Sequence, residues 1–325
     1  MQFRGVCRLI TVVALASQAS LSLSAQDAPV ATFKSGIDLV SVSAVVRDKK
    51  GRVVRSLTPK DFVVMDGGAP RKIVELHADE TAPASVALLV DGSGSMAVGA
   101  ALDSSRHICK LVLTTLDEKK DDAALLSFDT RLLTLRDFTG RFENIRSGLG
   151  DLQAFGQTSL YDAIAGASAV VAQRARNRRA VIVLTDGADT ASQYTPQEVA
   201  WIASTIDVPV YVFAVSQTTT PEEAAKEAAA KEKEKEKQGE KPVVPGVPMN
   251  PLADLARATG GDYFVAGSPV LAVNGIIRLV EELRHQYLIA FEPSSASGMR
   301  QLEIKTRKND LRVSARRWYT SGSQN

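Results

Sequence analysis

The sequence predicts an α/β fold, a doubly wound and mostly parallel sheet, with a flanking β-sandwich-like module built from N- and C-terminal strands. Three observations carry this. From Val86 to about Gln286, short apolar runs alternate with long helical patterns, as in strand–helix–strand units. Ala123–Phe128 and Leu132–Arg136 are joined only by Asp129-Thr130-Arg131, so one edge strand is expected to be antiparallel. On either side of this region the texture changes to short, strand-like segments with no helical stretch.

The first residues read as a targeting segment. Arg4 and Arg8 supply positive charge, Leu9 to Leu23 is mostly apolar and small, and Ser22-Leu23-Ser24-Ala25-Gln26 offers small residues for cleavage. Residues 1–25 are therefore expected to be a signal peptide and the protein to be exported, periplasmic or secreted. Leu23 is bulky for its place before the cut, which leaves a retained anchor as the alternative. The stretch is short and dotted with Ser and Gln, so it would span a membrane poorly. Cleavage would remove Cys7 and leave Cys109, so no intrachain disulfide is expected and stability must come from an ordinary core. Cys109 lies on the stripe Leu102, Val112, Leu113, Leu116 and reads as a buried small hydrophobe.

About 300 residues remain after cleavage, enough for two modest domains. The formal net charge of +2 makes no case for nucleic acid or for membrane attraction.

The N-terminal flank covers residues 31–80. Val40, Val42, Ala44 and Val46 share one face of a strand. Ser41, Ser43 and Arg47 share the other, with Val45 the exception, so the strand reads as half-exposed with Arg47 on its outer face. Asp48-Lys49-Lys50-Gly51 is a turn. Phe62–Met65, Asp66-Gly67-Gly68 and Lys72–Leu76 read as a hairpin. The central domain, residues 84–286, has strands at Val86–Val90, Ala123–Phe128, Leu132–Arg136, Ala180–Thr185, Val208–Val215 and Tyr263–Ala266. Thr195-Pro196-Gln197-Glu198 marks a helix start, and Asn250-Pro251 opens a helix that stops at Gly260-Gly261. Ser159 is expected to cap Leu160–Arg174, with Asp162 completing a capping box, which makes Asp162 structural. Residues 216–249 form a charged insertion. Glu222–Glu236 is nearly all Ala, Glu and Lys without an apolar stripe, and a Pro-rich stretch follows. The C-terminal flank, residues 287–320, offers strands at Tyr287–Phe291, Gln301–Thr306 and Leu311–Trp318. Neither flank can build a good core alone. They are expected to form one module split by the central domain, with independent small sheets as the alternative.

The chemistry concentrates after two of the central strands. Asp91-Gly92-Ser93-Gly94-Ser95-Met96 presents one carboxylate and two hydroxyls at alternate positions. Oxygen ligands of this kind suit Mg²⁺, Mn²⁺ or Ca²⁺. Thr158 stands in Phe155-Gly156-Gln157-Thr158-Ser159, just before a helix, and Asp186 ends the second strand. The three segments converge only if the strands bearing Asp91 and Asp186 are neighbours, and doubly wound topology pairs the first strand with the fourth. The plainer alternative is that Ser93 and Ser95 cap a turn and Asp186 caps a helix.

Together, Asp91-x-Ser93-x-Ser95, Thr158 and Thr185-Asp186-Gly187 resemble the metal-ion-dependent adhesion site of von Willebrand factor A (VWA) domains, whose sheet is Rossmann-like. The resemblance implies a divalent cation, Mg²⁺ first and Mn²⁺ or Ca²⁺ otherwise. Ser93, Ser95 and Thr158 would hold it, with Asp91 and Asp186 nearby or bridged by water. It also implies a protein partner presenting an Asp or Glu carboxylate. More loosely, the flanking strands and the ending Arg316-Arg317-Trp318-Tyr319 resemble exported acidobacterial VWFA-related proteins, which adds no activity. The expected function is an exported, metal-dependent protein-binding module. A structural or assembly scaffold is the alternative, and a metal-dependent hydrolase the remote one.

Enzyme chemistry finds little support. His77, His107 and His285 have no second His or Cys at metal-ligand spacing. Gly92-Ser93-Gly94-Ser95 is not a nucleophile elbow, and no phosphate-binding loop is present. A Mg²⁺-phosphatase needs a second Asp two residues after the first, and position 93 is Ser.

Overall fold

The computed structural model describes residues 39–175, 178–215 and 250–322. The leader expected at residues 1–25 and the insertion expected at 216–249 lie outside the described residues. The N-terminal flank holds β1 (Val40–Arg47), β2 (Phe62–Asp66), β3 (Ala69–Arg71) and β4 (Ile73–His77). The centre runs β5 (Ala84–Asp91), α1 (Ala101–Thr115), β6 (Asp122–Phe128), β7 (Leu132–Thr139), α2 (Phe142–Gly148), α3 (Leu160–Ala172) and β8 (Arg178–Thr185). It continues with α4 (Pro196–Thr205), β9 (Val210–Val215), α5 (Pro251–Thr259), β10 (Tyr263–Ala266) and α6 (Pro269–Arg284). The C-terminal flank supplies β11 (Tyr287–Phe291), β12 (Gly298–Thr306), β13 (Arg312–Ala315) and β14 (Trp318–Ser321).

The central sheet has the order β10-β9-β8-β5-β6-β7, parallel throughout except for β7, which returns antiparallel on β6. Every residue of β5 is buried. Both faces of a parallel sheet are covered by helices, which is why such a strand reads as an unbroken apolar run. Val86, Leu88 and Val90 join a core with α1 and α6, including Ile108, Val112, Leu279 and Leu283. Ala87 and Leu89 point the other way into a core with α3, α4 and α5. Cys109 belongs to the first core, and burial pushes its thiol up to about 12, so it is an inert packing group. The start of α4 has the expected capping box between Thr195 and Glu198, and α5 starts at Asn250 and stops at Gly260, whose φ is +92°.

The flanks interleave into two four-stranded antiparallel sheets, β13-β1-β11-β4 and β14-β12-β2-β3. Val40–Ala44 pairs with Tyr287–Phe291, and Phe62–Asp66 with Leu302–Thr306. The shared core sets Val42, Ala44, Phe62 and Val64 against Tyr287, Ile289, Phe291, Leu302 and Tyr319. Phe62 and Tyr287 meet edge-on with centroids 5.3 Å apart, and the Tyr287 hydroxyl donates to Val54 O at 2.8 Å.

Three expectations are corrected. The hairpin partner of β2 is Ala69–Arg71, whereas Ile73–His77 crosses to the other sheet and pairs with β11. Leu311–Trp318 is not one strand, because its start joins β1 and its end joins β12 in the opposite sheet. Arg47 is not on an exposed face. It is buried, and its guanidinium donates to Glu282 Oε1 of α6 at 3.0 and 2.7 Å and to Arg278 O at 3.2 Å.

Arg316 makes the second tie between module and centre. It donates to Ser204 O and Thr205 O at the end of α4, at 2.9 and 3.1 Å, and to Ser41 O at 2.6 Å, and pairs with Asp207 at 3.2 Å. A guanidinium at the last carbonyls of a helix satisfies acceptors that have no intrahelical donor.

Removing one partner of a buried ion pair leaves the other uncompensated. Arg47→Ala is expected to destabilise the protein by about 3–5 kcal/mol in chemical denaturation, and Arg47→Met with Glu282→Leu to recover most of that loss. A single variant within roughly 0.5 kcal/mol of the parent would contradict this reading.

Candidate metal-ion site

The site is built at the carboxyl ends of β5 and β8. The ladder pairs Val90 with Leu184, so the next residues, Asp91 and Thr185, end the two strands side by side. Asp91 is fully buried. Its Oδ2 accepts from Thr185 Oγ1 at 2.6 Å and its Oδ1 from Ser93 N at 2.8 Å. Gly187 N donates to Thr185 Oγ1 at 3.0 Å, which occupies a lone pair and directs the hydroxyl proton onto Asp91.

Ser93 is buried, and its Oγ lies 3.1 Å from Ser95 Oγ. The loop between them is pinned by its glycines. Gly92 N donates to Phe128 O at 2.7 Å, and a Cβ at Gly92 would meet Gln153 O and Ser127 Oγ at 3.0 Å. Gly94 N donates to Gly156 O at 3.0 Å and Phe155 N to Gly92 O at 2.7 Å, which fastens the Thr158 loop beside the serine loop.

Thr158 is buried. Its N–H donates to Thr190 Oγ1 at 3.0 Å, and its carbonyl accepts from Thr190 N and Ala191 N at 2.9 and 3.0 Å. These bonds use the Thr158 backbone and leave its hydroxyl out. The loop after β8 is thereby joined to the loop before α3. Asp186 is half-buried and accepts from Ala188 N at 3.2 Å. Asp91, Ser93 and Ser95 thus form one hydrogen-bonded group. The Thr158 loop is bonded to the loops on both sides, and Asp186 lies near enough for its charge to act on Asp91.

Burial pushes the Asp91 carboxyl above the usual aspartate range. Hydrogen bonds from Thr185 and Ser93 oppose this, and the neighbouring charge of Asp186 adds to it.

Two local expectations change. The Ser159 side chain makes no cap at α3. The open amides are met from the β8 loop instead, Leu160 N donating to Asp189 Oδ1 and Tyr161 N to Ser192 Oγ, both at 2.9 Å. Asp162 is structural, as expected, but outside a capping box: its carboxylate accepts from Gln193 N at 3.0 Å and Tyr194 N at 2.9 Å. Sequence reasoning names Thr185 within Thr185-Asp186-Gly187 but not as the partner of Asp91, and it misses Asp189 and Ser192. Thr185 does carry a signal, because a polar residue beside Asp186 at the end of an otherwise apolar strand falls next to Asp91 once the two strands are aligned.

Among the described residues no group of three or more His, Cys, Asp or Glu is arranged to hold an ion. A cation here would need hydroxyl ligands, and the residues present fit one. An octahedron of about 2.1 Å bonds has edges of roughly 3.0 Å. The 3.1 Å between the two serine oxygens is close to that, and it also suits the hydrogen bond they make without metal.

Residues 86–188 match the von Willebrand factor type A domain family, so the chain contains a VWA domain, and that stretch includes Asp91, Ser93, Ser95, Thr158 and Asp186. A comparison with curated proteins found no match. Among solved structures, the conserved hypothetical protein BatB from Bacteroides thetaiotaomicron is similar at 17% identity and a TM-score of 0.45, over 61% of this chain and 98% of that one. The PilB minor pilin from Streptococcus sanguinis is similar at 11% identity and a TM-score of 0.42, over 62% and 61%. Proximal thread matrix protein 1 from the mussel byssus shows 13% identity and a TM-score of 0.46, over 73% and 50%. Likeness at this level carries no argument about function.

A raised folded-state pKa means that Asp91 contributes stability below the ordinary aspartate range and loses it as pH rises through the raised value. In chelator, the stability of the parent relative to Asp91→Asn is therefore expected to fall from acid to neutral pH, and added Mg²⁺ to reverse the fall for the parent alone. Denaturation curves across that range, with and without Mg²⁺, check both signs. A flat difference would remove Asp91 from the account.

Proposed function

We propose that the VWA domain binds a protein partner through a divalent cation. Ser93, Ser95 and Thr158 supply oxygen ligands. Asp91 and Asp186 supply the balancing negative charge, and an Asp or Glu of the partner completes the coordination. The observation that carries this is the environment of Asp91. A fully buried carboxylate, crowded by a second one, is met by amide and hydroxyl donors, and no basic side chain is among the groups that act on it most. Buried charge without a counter-charge is costly, and a bound cation removes the cost. Mg²⁺ fits best, because a small hard ion accepts few protein ligands and keeps positions open for water or an incoming carboxylate.

The same burial favours a second reading, in which the ion chiefly braces β5 against β8. We take the protein as a binding module and not an enzyme. His77, His107 and His285 lie on β4, in α1 and just past α6, none of them in the loops around Asp91. Among the described residues no helix is long and apolar enough to cross a membrane. The leader reading of residues 1–25 is what supports an exported protein, periplasmic or secreted.

Calorimetric titration with Mg²⁺ and Mn²⁺ should show saturable binding that Asp91→Ala abolishes without unfolding the domain. Immobilised protein should then retain cell-envelope proteins in Mg²⁺ and release them in chelator, and Asp91→Ala should retain none of them. Cation-dependent melting without cation-dependent retention would favour the bracing role. Titration unchanged by Asp91→Ala would refute the site.

A further inference from the structure

At the opposite end of the central sheet lies a pocket that the cation site does not use. It has a volume of about 220 Å³ and is lined by Ser43, His77, Asp79, Arg178, Gln286 and Leu288, with Ala82. Arg178 opens β8 and Asp186 follows its other end, so the two sites are roughly 26 Å apart at about 3.3 Å per strand residue. The pocket sits where β1 and β11 of the flanking module meet the start of β8.

Two of its polar side chains are more than nine-tenths buried. Arg178 is 4% exposed and Gln286 7%. The one hydrogen bond of the Arg178 guanidinium among the described residues is a long one, 3.5 Å to Ala82 O, and no described carboxylate stands within ion-pair distance. The Gln286 side-chain amide has no hydrogen-bonding partner among the described residues. Buried groups of this kind are normally paired. The charges around Arg178 are Asp79, Arg284, Asp121 and Glu80. Asp121 is engaged by Arg284 and by Ala84 N, and Glu80 stands 3.0 Å from His285 Nδ1. Asp79 is exposed, lines the same pocket, and holds Thr81 through Oδ1. A guanidinium and a carboxylate therefore face one space without pairing.

We propose that this pocket binds a small amino-acid-like zwitterion, its carboxylate on Arg178 and Gln286 and its ammonium group toward Asp79. Arg presents a planar fork of donors that matches a carboxylate. Asp79 disfavours phosphate and polycarboxylates by repulsion and favours a ligand with its own positive charge. The volume lies below the roughly 300–1,000 Å³ of drug-sized sites, so the ligand is a free amino acid or smaller. Ala82 and Leu288 supply the apolar wall against which a short side chain can lie.

The test is calorimetric titration of the full chain in chelator with glycine, L-alanine, acetate and inorganic phosphate, which keeps it independent of the cation site. Saturable binding of glycine or L-alanine is expected, with acetate at least tenfold weaker and phosphate weaker still. Asp79→Asn, at an exposed position that should not disturb folding, is expected to weaken the amino acids at least tenfold and to remove their advantage over acetate. Ser43→Leu, which fills the pocket, should abolish binding while the melting temperature stays within a few degrees. Absence of saturable binding by every probe, acetate or phosphate binding as tightly as the amino acids, or indifference to both substitutions would overturn the proposal.

Discussion

The parallel pairing of β5 with β8 is the constraint on which the rest depends. It places the ends of two strands, far apart in sequence, side by side. The bond from Thr185 to Asp91 at 2.6 Å then closes that end of the sheet. Everything at the candidate cation site is referred to this pair. The serine loop leaves β5, the Thr158 loop is bonded to the serine loop, and the loop after β8 returns to bond Thr158. Sliding β8 by one residue would turn Thr185 to the other face of the sheet and set Leu184 or Asp186 beside Asp91 in its place. The apolar alternation along both strands opposes such a slip, because it would also exchange the residues that fill the two cores.

The flanking module depends on the centre in a different way. Its two sheets are completed only when strands from both ends of the chain meet, β1 with β11 and β2 with β12. The centre must therefore bring Ala84 and Arg284 to the same end of the central sheet. Arg47 and Arg316 fasten the result by reaching from the module into α6 and the end of α4. Both are buried cations whose donors are largely spent on carbonyls and on nearby carboxylates, which is how charge is tolerated away from water.

Much of this is legible in the amino-acid sequence. Strands buried on both faces announce themselves as apolar runs, and the bounds read for Tyr263–Ala266 and Tyr287–Phe291 are those the fold adopts. The neighbouring strands for Asp91 and Asp186 follow from doubly wound topology, whereas the candidate ligands Ser93, Ser95 and Thr158 come from the resemblance that their motifs carry. Pairing that needs tertiary information is what the sequence hides. Pro70 conceals a strand in Ala69–Arg71, because proline is tolerated only where its missing N–H is not needed, as on the edge that β3 forms. Leu311–Trp318 looks continuous, since no local signal tells a chain to change sheets. The expected cap at Ser159 and Asp162 loses to Asp189 and Ser192, which arrive from about thirty residues away and reach the same amides. Arg47 reads as a surface residue because its partner, Glu282, is 235 residues distant.

The central claim is that three loops, assembled by one strand pairing, present oxygen ligands to a single cation. Crystals grown with Mn²⁺ and measured near its absorption edge test it directly. The account predicts one anomalous peak within bonding distance, about 2.0–2.3 Å, of Ser93 Oγ, Ser95 Oγ and Thr158 Oγ1, with the Asp91–Thr185 bond intact. A map with no peak there at saturating Mn²⁺, while that bond and the three loops keep their places, would contradict it.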